Sequence, residues 1–202
     1  MKTPAQPSVA GLCAQGARRP AAIRAALEII RTEPGSKKFP YAKALRRLGE
    51  EQPRKLYPFF DDLAALLRHP NNIIQWTAIR LIADLAAVDT QSKLDGLLAA
   101  YLQPIAGPVM ITAANTIQGA ARIALARPEW RDAIIAALLR VTRARYATME
   151  CRHIAIGHAL NALATLGPAT LARPDVQRFA RRQLHNPRPA TRAKATRFLK
   201  QS

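Results

Sequence analysis

The chain has 202 residues, 49% hydrophobic and 5% aromatic, and sets 31 Lys and Arg against 13 Asp and Glu for a formal charge of +18. That length suits one domain or one short repeat array with a real core. Apolar runs are all shorter than about 18 residues or broken by charge, which excludes a membrane-spanning helix; the lone Cys13 and Cys151 exclude a disulfide framework and fit a reducing, cytoplasmic setting.

Residues 1–17 lack a continuous apolar stretch and read as a flexible tail, not a signal peptide. A repeat domain is expected over 18–202. AAIRAALEII (21–30) and YAKALRRLG (41–49) make a first helix pair. FFDDLAALL (59–67) with AIRLIADLA (78–86), and LLAAYLQPI (97–105) with TIQGAARIA (116–124), make the next two. IIAALLRVT (134–142) pairs with IGHALNALA (156–164), and VQRFARRQL (176–184) with a last helix containing ATRFLK (195–200). Apolar residues recur at i, i+3 or i+4, and i+7 in each first helix, as an amphipathic helix requires. Turn signals such as RHPNN, QPIAGP, ARPEW and HNPRP separate the helices. No segment alternates with period 2, so no sheet is expected.

The pairs repeat. LLRHPNNIIQWTAIRLI (66–82) aligns with QLHNPRPATRAKATRFL (183–199) at an offset of 117, three times 39, matching Leu67 to Leu184, Pro70 to Pro187, Ala78 to Ala195 and Arg80 to Arg197. Self-similarity at this period, with a proline in the turn, signals a helical solenoid. The helix pairs, the loop proline and the small residues on each second helix resemble HEAT repeats of the armadillo-like superfamily, over residues 18–202. The resemblance implies an all-α, right-handed α-solenoid of about five antiparallel helix pairs, with the second (B) helices lining a concave surface. Such repeats serve as scaffolds, as nucleic-acid binders and in a few branches as enzymes, so function must come from the residues.

Charge is unevenly spread. Residues 1–53 hold ten cations and four acids, residues 54–139 eight and seven, and residues 140–202 thirteen and two. Lys43, Arg80, Gln118, His158 and Arg197 share one position on successive B helices; Arg47, Asp84, Arg122, Ala162 and Gln201 follow one turn later. Arg178, Arg181, Arg182 and His185 recur at helical spacing on the last A helix, and Arg192, Lys194, Arg197 and Lys200 add a second cluster. A single-sign patch is what phosphate contacts need. The expected ligand is therefore nucleic acid held through phosphates, by Lys43, Arg47, Arg80, Arg122 and Arg197 with Arg178, Arg181, Arg182 and Arg192. An acidic protein segment is the alternative partner.

Enzymatic chemistry finds less support. Asp84 is the one carboxylate in the stripe, and its reading as a catalytic residue rests on a resemblance to the HEAT-like alkylpurine DNA glycosylases. Those are similar in size, repeat type and charge, and use a carboxylate and aromatics on the concave face. Trp76 would be such an aromatic, but its repeat equivalents are all apolar, which favours core packing. Cys151 and His158 share a helix face while His153 points elsewhere, so no metal site is expected. No phosphate-cradling or nucleophile-elbow motif occurs, and no cofactor is expected.

Overall fold

The computed structural model describes residues 20–201; the tail expected over 1–17 lies outside them, as does Cys13. Among the described residues there are five helix pairs and no strand, and no helix is long and apolar enough to cross a membrane. The chain divides into two compact units, with the break between Leu97 and Leu98.

The first unit holds two pairs. In α1 (Pro20–Thr32), Ile23, Leu27 and Ile30 are buried at i, i+4 and i+7 while Arg24, Glu28 and Arg31 face water. Each such burial contributes ~1.5–3 kcal/mol. α2 (Phe39–Glu51) packs on α1 and on α5 (Asn72–Leu85). The first helix of the second pair is broken into α3 (Pro53–Leu56), a 3-10 turn over Tyr57–Phe59, α4 (Phe60–Ala65) and another 3-10 turn over Leu66–Arg68. The continuous helix expected at 59–67 is thus shortened. Pro58, which has no N–H to give to the i−4 carbonyl, falls in the first of these 3-10 turns.

α5 starts at a cap: Asn71 Oδ1 accepts from the backbone N–H groups of Ile73 and Ile74 at 3.0 and 3.3 Å. The loop after it is organised by Asp89, which accepts from the Tyr57 hydroxyl at 2.6 Å and from the N–H groups of Lys93 and Leu94 at 2.9 Å. Asp61 lies in the first turn of its helix and also pairs with Lys93 at 2.6 Å. Small residues let α2 and α5 meet: a Cβ on Gly49 would lie 2.6 Å from Leu81 Cδ2.

The second unit holds three pairs. α6 (Leu98–Leu102) runs into a 3-10 turn over Gln103–Ala106 and is followed by α7 (Met110–Ala126). Next come α8 (Arg131–Leu139), a 3-10 turn over Arg140–Arg143, and α9 (Met149–Thr165). After α10 (Pro168–Leu171), α11 (Pro174–Arg182) is paired with α12 (Pro189–Lys200). The B helix α9 packs against both α7 and α12. Third and fourth pairs are tied where the Arg145 N–H donates to Ala106 O at 2.9 Å and the Tyr146 hydroxyl to Ile105 O at 2.6 Å. Burial pushes the Tyr146 phenol up to about 12, so it keeps its proton at any ordinary pH.

One turn device recurs. His69 Nδ1 accepts from the Asn71 N–H at 3.0 Å, and at the equivalent place Asn186 Oδ1 accepts from the Arg188 N–H at 3.0 Å. Early in three B helices a side chain then reaches back to a carbonyl of the turn: Gln75 to Leu67 O, Arg152 to Ala144 O, and Arg192 to Asn186 O and Pro187 O. Asn186 is the most heavily engaged member of the set. It is 5% exposed, its Nδ2 donates to Gln183 Oε1 at 2.9 Å, and the same nitrogen lies 3.1 Å from His153 Nδ1. Asn186→Ala would strand these buried partners and should lower stability by ~2–4 kcal/mol. His69→Ala, which loses the bond from the Asn71 N–H, should cost ~1 kcal/mol, and denaturant melts of the two variants measure the difference. Equal losses would contradict the assignment.

Candidate nucleic-acid interface

In the first unit the packed helices α2 and α5 carry Lys43 and Arg80, both exposed. Arg47, one turn on, is exposed too, but its Nε donates to Glu51 Oε1 at 2.7 Å. Asp84 is half-buried with both carboxylate oxygens shielded from solvent, Oδ2 lying 3.6 Å from where a Cβ on Gly49 would sit. It faces the α2–α5 contact. Trp76 is half-buried on α5.

In the second unit Gln118 and Arg122 are exposed on α7 and Arg197 is exposed on α12. His158, between them on α9, is half-buried, and its pKa is lowered by burial and then by Lys194. It is therefore neutral at pH 7, so the row's charge here comes from its neighbours. Lys194 lies over α9, with Nζ 3.2 Å from the Cβ position of Gly157. Burial, then Arg188 and Arg197, lower the Lys194 pKa; of these cations Arg188 is paired with an acid, Glu150. Position 162, where the second row continues, is a buried alanine.

The acids of this unit are already spent. Among the described residues it has four, and all are in ion pairs: Glu129 with Arg127, Asp132 and Asp175 with Arg173, and Glu150 with Arg188. Arg173 holds Asp175 at both oxygens, 3.1 and 3.0 Å, and with the Val176 N–H keeps that carboxyl below its usual range. Three arginines thus absorb every carboxylate, and Arg178, Arg181, Arg182 and Arg197 make no ion pair among the described residues.

The arginines of α11 divide. Arg178 and Arg182 line a cleft of about 310 Å³ with Arg140, Arg143, Asp175 and Phe179. Arg181 lines a separate, more open recess with Gln177, Leu184 and Leu199. Arg192 is committed to the turn before α12. Arg140 and Arg143 carry no mark in the sequence beyond their charge, since they sit on an A-helix extension outside the B-helix register. They also border a second recess of about 420 Å³ floored by Ala99, Leu102, Ile105 and Ala137. Of the sulfur and imidazole groups, Cys151 is a half-buried free thiol and His153 is engaged by Asn186.

Among solved structures, a designed armadillo repeat protein resembles this chain with a TM-score of 0.58, over 95% of this chain and 84% of that one, at 15% sequence identity. The chain has an armadillo-like repeat fold. At that identity the likeness is one of architecture, and the solenoid of helix pairs expected from the HEAT-like pattern is the architecture present. No protein-family model matches the chain, and no curated protein matches it by sequence. The armadillo-like fold leaves the ligand to be argued from the surfaces described above.

Proposed function

We propose that this chain is a non-enzymatic binding module that holds nucleic acid through its phosphates. The exposed cations of the B helices, Lys43, Arg80, Arg122 and Arg197, and the C-terminal basic patch would make the contacts. The observation that carries this reading is that every carboxylate described in the second unit is already paired, while its cations far outnumber them. A protein surface that needs only solubility is served by mixed charge, whereas phosphate recognition needs cations without neighbouring acids. Such binding reads little base sequence.

Duplex affinity measured against salt tests it. The logarithm of the binding constant should fall linearly with log salt, by ~0.9 per phosphate contact, giving a slope of about −4 to −7. A flat dependence, or no binding at low salt, removes the proposal. The aliphatic recess beside Arg140 and Arg143 favours one second reading, an acidic protein segment that seats apolar side chains there. Excess duplex failing to displace a bound acidic peptide would support that reading instead.

A further inference from the structure

The cleft between the Arg140–Arg143 turn and α11 differs in kind from the B-helix rows. In the rows, cations sit singly on separate B helices, Lys43 on α2, Arg80 on α5, Arg122 on α7 and Arg197 on α12. In the cleft, two arginine pairs converge from facing elements: Arg140 and Arg143 at i, i+3, and Arg178 and Arg182 at i, i+4. All four are exposed, and none makes an ion pair among the described residues. The single carboxylate in the lining, Asp175, is held at both oxygens by Arg173 from outside the cleft. Phe179 is only 6% exposed, so no aromatic face is offered for a base to stack on.

We infer that this cleft takes a single terminal phosphomonoester, carried on the end of a nucleic-acid strand; the inference rests on the nucleic-acid reading above. A backbone phosphodiester has one negative charge and two free oxygens. A phosphomonoester carries about −1.5 to −2 at pH 7 and presents three acceptor oxygens. Four arginines lining one volume of about 310 Å³ carry more donors than a diester can accept and suit the monoester. Arginine pairs with phosphate oxygens bidentately and stays charged throughout the working pH range, so the cleft retains its field. Its volume sits at the small end for ligand sites. It is large enough for the group and small enough to leave the rest of the strand outside.

The test compares one short duplex carrying 5′-phosphates with the same duplex carrying 5′-hydroxyls, by anisotropy of a 3′ label at fixed salt. The phosphorylated form should bind the wild-type chain roughly tenfold more tightly. In the Arg143→Gln/Arg178→Gln double variant that advantage should shrink to less than about twofold, while Lys43→Gln weakens both duplexes alike and preserves the ratio. A thermal melt of each variant reports that the fold is intact. Equal affinity of the two duplexes for the wild type overturns the inference, and so does an advantage that survives in the double variant. A phosphoserine peptide bound as tightly as the phosphorylated duplex overturns the assignment to a nucleic-acid end. If neither duplex binds, the nucleic-acid reading itself fails, a result distinct from equal binding.

Discussion

Gly107→Ala should lower the stability of the second unit by ~3–5 kcal/mol and its melting temperature by roughly 10 °C. Gly107 has φ +105°, a conformation that side-chain-bearing residues rarely adopt. A Cβ there would also overlap the Arg145 carbonyl oxygen, with the Arg145 carbonyl carbon 2.8 Å away. Neither obstacle yields easily, because Arg145 is backbone and is held by its own N–H bond to Ala106 O at 2.9 Å. The turn must move, and with it the tie between the third and fourth helix pairs. Gly35 and Gly167 provide the contrast. Both have positive φ, +69° and +88°, but a Cβ on either meets nothing within 4 Å. Alanine at those two positions should cost only the backbone strain, ~1 kcal/mol. Differential scanning calorimetry of the three variants separates the two causes, and a Gly107 variant no worse than the others would show that the turn is not rigid.

The second large effect is on binding. Lys194→Glu/Arg197→Glu should weaken duplex binding by about 100-fold at low salt, and the corresponding alanine pair should make the salt slope shallower by about 2. Both positions lie on α12 in surroundings without a free acid. Lys194 is crowded by Arg188 and Arg197, and its pKa is lowered partly for that reason. Removing the crowding should leave the melting temperature unchanged or slightly raised, so a loss of affinity here cannot be a loss of fold. Arg173→Ala supplies the reverse case. It releases Asp132 and Asp175, and should reduce stability by ~1 kcal/mol while adding repulsion near the cleft. Unchanged affinity in the α12 double variant, measured by titration across salt, would remove the B-helix surface from the interface.

The helices and their pairing were legible because their cause is local. Apolar spacing decides which residues share a helix face, and proline and asparagine mark where a helix starts. The repeat offset of 117 even anticipated a shared turn, since His69 and Asn186 sit at matched positions and hold the same bond. Exposure of Lys43, Arg80, Gln118 and Arg197 followed from the same register. Less legible were the breaks in the A helices, where a single proline lies within an otherwise helical pattern.

Composition, periodicity and charge by themselves determined an all-helical repeat chain with its cations concentrated toward the C-terminus. Those properties depend on neighbours within about one turn or on sums over many residues. Only the tertiary structure decided which cations stay unpaired and which converge. Arg192 is spent on a turn, Arg173 holds two acids from separate segments, and Arg140 and Arg182, more than forty residues apart, line one cleft. An ion pair or a cleft is made by side chains brought together through packing, and a one-dimensional pattern carries no measure of that distance.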